Sequence, residues 1–156
     1  MKLYHGSTVN IEKIDLDKSK PNKDFGRAFY LSVDEQQALE LAQFRAEFEE
    51  TNPIVNVFEF DEALFQQFRC KRFDEYTEEW AHFVYNHRTD PQGRTLHDYD
   101  IVYGPIANDR IGAQITRFKQ GYITFEEFLN RIQYIKGITF QYAFCTQRAV
   151  DKLIKL

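Results

Sequence analysis

The chain has 156 residues and 18.6 kDa, the length of one ordinary domain (1–156), and with 43% hydrophobic and 28% charged residues it can bury a core. A net charge of -4 and a pI near 5.6, without any block of Lys and Arg, argue against broad phosphate-driven binding of nucleic acid and leave contact with a single nucleotide open. Fifteen Phe, nine Tyr and one Trp make 25 rings, so either the core is ring-rich or some rings line a site for a flat ligand.

Taken in chain order, Lys2 to His5 has the look of a short strand ending at Gly6-Ser7, and Ala28 to Ser32 is a second one, after the turn signal Lys23-Asp24-Phe25-Gly26. Ser32-Val33-Asp34-Glu35 carries the S-x-x-E spacing of a capping box, so a helix is expected there, with Ala38, Leu41, Phe44 and Phe48 as its buried face and Glu40, Glu47 and Glu50 in solvent. It should stop before Asn52-Pro53. Ile54 to Phe60 is β-branched and aromatic and predicts a strand; helical pieces follow near 61–70 and 78–88, the second packing Trp80, Phe83 and Val84. Asp90-Pro91-Gln92-Gly93 is a turn, Asp100 to Tyr103 a strand, and Thr124 to Glu127 a second capping box ahead of Phe128, Leu129, Ile132 and Ile135. The pattern closes with a strand over Phe140 to Cys145 and a helix over 147–155. Strands at both ends with helices between predict an α+β domain.

No apolar run approaches the roughly 20 residues of a membrane span, and MKLYHGSTVN lacks the hydrophobic region of a signal peptide, which makes a cytoplasmic protein without membrane contact the expectation. Cys70 and Cys145 stand far apart, as isolated thiols rather than a disulfide or zinc site. His82 and His87 are five apart, off a shared helical face, and no carboxylate completes a metal set with His97, so no metal is expected. Asp98 and Asp100 precede an apolar strand and either meet a cleft or lie in a solvated turn. His5 sits at a strand end beside Gly6 and Ser7, where bare backbone can approach a ligand.

Tyr4-His5-Gly6-Ser7 together with Asp24 to Ser32 (DFGRAFYLS) resembles the first two motifs of the ADP-ribosyltransferase superfamily, in its His-Tyr branch. Tyr99 to Asp109 (YDIVYGPIAND) and Gln141 to Ala149 (QYAFCTQRA) look like the later signatures of a small bacterial family within it. The resemblance spans nearly the whole chain. It implies a split, strongly bent β-sheet core with flanking helices that holds NAD between its halves. On that resemblance His5 would bond a ribose hydroxyl, the Gly6 backbone the nicotinamide carboxamide, and Tyr30 would stack on the cationic nicotinamide ring. Ser7 would line the same site, and Arg27 would meet the pyrophosphate with its planar fork.

In that superfamily a Glu at the start of a late strand usually favours departure of the nicotinamide; here Gln141 occupies the position. An amide keeps the hydrogen bond but loses the negative charge, a difference of roughly 10²- to 10³-fold in rate. Strand alternation puts Gln141, Ala143 and Cys145 on one face and Phe140, Tyr142 and Phe144 on the other. The Ser and the second stacking Tyr that follow in the poly(ADP-ribose) polymerases are absent, their spacing giving Ala38 and Leu41; Phe44, Phe25 and Phe29 are candidate replacements for the ring. Two functions follow from the resemblance. One is a mono-ADP-ribosyltransferase, a transferase of the glycosyltransferase class, acting on a macromolecular acceptor and paired as a toxin with an antitoxin protein. The other is a catalytically silent domain that binds NAD, an ADP-ribose-like ligand or a protein partner.

Overall fold

Short β-branched and aromatic runs supply the strands, and the computed structural model, which describes residues 1–135 and 137–156, joins them in one seven-stranded sheet. The strands are β1 (Lys2–Ser7), β2 (Phe29–Ser32), β3 (Ile54–Glu59), β4 (Cys70–Arg72), β5 (Ile101–Pro105), β6 (Phe140–Phe144) and β7 (Ile154–Lys155). Their spatial order is β4-β5-β6-β2-β1-β3-β7, antiparallel throughout except for β4 beside β5. The helices are α1 (Glu35–Glu49), α2 (Glu78–Thr89), α3 (Ile111–Lys119), α4 (Phe125–Arg131) and α5 (Gln147–Val150), with 3-10 turns over Leu16–Lys18 and Glu62–Gln67. The class is α+β. Among the described residues no helix is long and apolar enough to cross a membrane.

Period-two alternation makes both faces of the sheet apolar. Val102 and Ala143 join Phe25, Trp80, Val84 and Phe128 on one face, while their strand neighbours Ile101, Tyr142 and Phe144 join Leu3, Phe58 and Phe60 on the other. The ladders are uneven. β1 pairs with β3 over six residues, from Lys2↔Glu59 to Ser7↔Ile54, and β2 pairs with β6 over four, from Phe29↔Phe144 to Ser32↔Gln141. Between β1 and β2 there is one pair, Tyr4↔Ser32. The sheet is thus two well-laced halves meeting at a narrow junction.

Buried Asp100 is neither a cleft residue nor a solvated turn. It accepts from the Arg69 backbone (2.9 Å), Thr146 Oγ1 (2.8 Å) and Arg148 Nη2 (3.0 Å), tying the β4 and β6 ends to α5. Burial alone would raise its carboxyl, but these partners hold it below the usual range. Asn108, in the same motif, donates from Nδ2 to the carbonyls of Arg131 and Gln133 and pins the loop before α3 to the end of α4.

The capping box of α4 forms as its sequence predicts. That of α1 does not: Asp34, not Ser32, is the N-cap, accepting from the Gln36 backbone at 2.8 Å. Ser32 is still paired in β2, and the carboxylate of Asp34 suits the positive end of a helix better than a hydroxyl does. The buried face of α1 also differs. Ala38, Ala42 and Ala46 face the sheet, and Leu41, Phe44 and Phe48 are exposed. A Cβ on Gly6 would lie 2.1 Å from the Ala38 carbonyl oxygen and 3.0 Å from the Ala42 nitrogen, so α1 approaches β1 closely enough that only alanines fit between. Ile135 is exposed as well, rather than continuing the apolar face of α4.

The closing helix is shorter than its pattern predicts. α5 ends at Val150, and the chain turns to lay β7 along the open edge of β3 through Phe58↔Lys155 and Glu59↔Ile154, where unpaired ladder groups outweigh local helix propensity. For Gly6→Ala we expect α1 to be displaced and stability to fall by about 2–3 kcal/mol, measured by urea unfolding. An unchanged midpoint would mean that α1 does not lie against β1 in this way.

Candidate functional site

The sparse junction between β1 and β2 leaves ladder groups of both strands without strand partners. His5 fills part of this gap. Its Nδ1 lies 2.7 Å from the carbonyl oxygen of Tyr30, and its ring stacks on Phe29 with centroids 4.3 Å apart. A carbonyl only accepts, so Nδ1 carries the proton and Nε2 is left as an acceptor, with no protein partner among the described residues. Burial, helped by Arg45 and Lys155 and opposed by the Tyr30 carbonyl, brings the imidazole from its ordinary 6.5 down to about 4, so it is neutral at pH 7.

Strand register puts Tyr30 and Gln141 on the same face, because Tyr30 lies opposite Ala143 and Ser32 opposite Gln141, making the two diagonal neighbours. The His5 side chain, by alternation from Leu3, belongs to the other face and reaches Tyr30 through its backbone. The Tyr30 hydroxyl donates to the Gly26 carbonyl (2.7 Å) and accepts from the Phe25 nitrogen (2.9 Å), so the turn before β2 rests on the phenol tip. Burial foremost, and then the charge of Asp24, push the phenol well above its usual range.

Beside Tyr30 a polar chain runs from β6 to the turn before β2 and on to α2, buried at Gln141 and Asp24 and half-buried at Arg88. Gln141 Nε2 donates to Asp24 Oδ2 at 3.1 Å, and Arg88 Nε donates to Asp24 Oδ1 at 2.6 Å. Because the carboxylate can only accept, the Gln141 amide is fixed with its nitrogen toward Asp24 and its Oε1 free of protein partners among the described residues. That oxygen keeps solvent access: among the described residues the one sealed, unpartnered side-chain oxygen or nitrogen is Oε1 of Gln114 on α3.

Other residues singled out from the sequence have structural partners. Ser7 Oγ accepts from the Val9 backbone, and the Gly6 carbonyl accepts from Arg45 Nη1. Arg27 donates through Nη1 to the carbonyls of Asp17 and Ser19, in the 3-10 turn region. Of the replacement rings, Phe25 is fully buried under Tyr30, Phe29 carries His5, and Phe44 faces solvent. His87 and His97 accept from the Leu96 and Tyr99 backbones and, with Nδ1 and Nε2 respectively, meet the carbonyls of Phe83 and Phe25, so they fasten the 94–99 segment over the ring cluster. Both thiols are free, and burial pushes Cys145 up to about 12, which keeps it an inert thiol. Two cavities, of about 180 and 220 Å³, lie elsewhere, at Glu12, Phe58 and Lys155 and at Phe65, Arg72 and Tyr103. Among the described residues no three His, Cys, Asp or Glu side chains cluster to hold a metal.

Asp24 and Arg88 are the site residues that pattern reading missed. Asp24 stood in the quoted second motif, but nothing local showed that it would meet Gln141 across 117 residues. Arg88 lies on α2 with no motif at all.

Two outcomes follow. Because unfolded His5 binds a proton below about pH 6.5 and the folded one only near 4, stability should fall as pH drops through this window, by about 2 kcal/mol between pH 7 and 5. His87 and His97, also lowered by burial, add in the same direction. Urea unfolding of the native chain and His5→Asn at both pH values, with an imidazole NMR titration, checks this; an imidazole titrating near 6.5 would overturn it. Gln141→Glu would set two carboxylates at hydrogen-bond distance, so its destabilisation, about 1–3 kcal/mol, should be larger at pH 8 than at pH 5, where one can hold a proton.

No curated protein and no solved structure matched the chain. Residues 1–155 match the family described as Protein of unknown function (DUF3990), and the chain belongs to that family.

Proposed function

We propose that this chain is an NAD-dependent mono-ADP-ribosyltransferase built on an ADP-ribosyltransferase-like split sheet and acting on a macromolecular acceptor. The observation that carries the reading is a pair of oriented acceptors on β1 and β6, the two strands that flank β2: Nε2 of a neutral His5 on one face of the sheet, and on the face of Tyr30 Oε1 of an amide whose orientation Asp24 fixes. Ribose hydroxyls are donors, and two preset acceptors suit them. When bound, NAD would supply the activated glycosidic bond to nicotinamide. Gln141 would hold its ribose on the face of Tyr30, His5 would meet the same sugar only where the sparse junction between β1 and β2 opens, and Tyr30 would offer its ring to the cationic pyridine. The fit is good at this end and poor for pyrophosphate, because the Arg27 guanidinium is engaged with two backbone carbonyls.

Asp24 bears on the missing Glu. Its carboxylate sits one hydrogen bond behind the Gln141 amide and polarises it, so part of the lost negative charge is restored at second hand. Arg88 counters this by pairing with the same carboxylate. That neutralisation favours a second reading, a domain that binds NAD or an ADP-ribose-like ligand without turnover.

Labelled NAD incubated with the protein and cell lysate should transfer label, and His5→Ala and Tyr30→Ala, checked for folding, should reduce transfer by roughly 10²-fold or more. The double variant Asp24→Asn/Gln141→Glu keeps the amide-carboxylate pair with its charge moved to position 141, and should transfer at least as fast as the native chain. Calorimetric binding of NAD without nicotinamide release would establish the second reading. Neither binding nor release would remove both.

A further inference from the structure

Helix α1 carries two apolar faces. The inner one, Ala38, Ala42 and Ala46, is buried against the sheet. On the outer side Leu41, Phe44 and Phe48 are 46%, 71% and 86% exposed, at the i, i+3, i+7 spacing that lines large side chains along one stripe. Solvent gives no reason for two adjacent Phe rings there, since the close approach of α1 to Gly6 leaves the inner face satisfied by alanines.

Charge decides what suits the stripe. Between residues 34 and 50 six side chains are acidic and one, Arg45, is basic, and Arg45 turns inward to the Gly6 carbonyl. Glu40 and Glu47 each precede a stripe residue by one position and so border it on the same side, both exposed. Among the described residues no carboxylate of α1 takes part in an ion pair. A second copy of the chain would bring an equally acidic border against this one, and an anionic bilayer would likewise be repelled.

We propose that the outer face of α1 docks a basic amphipathic helix of another protein, with apolar side chains over Leu41, Phe44 and Phe48 and Lys or Arg beside Glu40 and Glu47. Apolar contact supplies the affinity, and the acidic border supplies orientation and choice of partner. This surface is independent of what the site around Tyr30 does, because it lies on the opposite side of α1 from Gly6.

The test is an NMR titration of the isotope-labelled full chain with three synthetic peptides of about five helical turns. The first is amphipathic in Leu and Lys, the second has the same pattern in Leu and Glu, and the third is the Leu/Lys composition scrambled out of helical period. The proposal expects saturable shifts confined to α1 with the first peptide and binding at least about tenfold weaker with the others. Phe44→Ser and Phe48→Ser should each weaken binding about tenfold without lowering the melting temperature, since these rings are exposed. Glu40→Gln/Glu47→Gln should weaken it and flatten its salt dependence. Equal binding of the acidic or scrambled peptide, shifts centred elsewhere, or sedimentation showing a dimer that Phe44→Ser dissolves would each overturn it.

Discussion

Apart from their shared apolar core, the two halves of this sheet are joined between β1 and β2 by one cross-strand pair, Tyr4 with Ser32, and one imidazole hydrogen bond. Everything proposed for the site depends on that sparseness. A complete ladder would have used the Tyr30 carbonyl for an amide of β1, and His5 would have had no acceptor to fix its tautomer. The gap converts a backbone deficit into an oriented side chain. The cost of burying the ring is met by a preference for the neutral form, which leaves Nε2 as a hydrogen-bond acceptor.

The polar chain Arg88, Asp24, Gln141 follows the same logic of fixed orientation. An amide alone could flip, but against a carboxylate it has one stable arrangement, nitrogen inward. The arrangement couples the turn before β2, the C-terminal end of α2 and the late strand β6, so the environment of Tyr30 is set by three separate parts of the chain. Asp100 performs a comparable task at the other end of β5 and β6, and its motif is structural rather than chemical.

Much of the fold was legible in the sequence because strands and caps are local. The β-branched and aromatic run Ile54 to Phe60, the S-x-x-E-like spacing at Thr124 and the turns at Gly26 and Gly93 all marked real elements. What escaped was non-local. β4 and β7 are too short to carry periodicity and exist because a neighbouring strand edge accepts them. On α1 the expected inner residue Ala38 is buried, but Leu41, Phe44 and Phe48 are not: large apolar residues usually point inward, and the contact with Gly6 reverses the preference. α3 went unseen: it is short, it opens on Ile111-Gly112, and no side chain caps its start. In the site, His5, Tyr30 and Gln141 could be singled out from strand-end and motif positions. Their partners Asp24 and Arg88 could not, since pairing across 117 and 64 residues leaves no local trace.

The strand order also sets a timetable for the chain as it leaves the ribosome. β1 and β3 lie within the first 60 residues and can pair early, with Met1 and Phe60 already joined by the amino terminus. β2 cannot complete its other edge until β6, residues 140–144, has emerged, and β7 follows last onto β3. The amide beside Tyr30 therefore takes its place only after residues 140–144 have emerged. A nascent chain of this protein would be partly folded well before the surroundings of Tyr30 are complete.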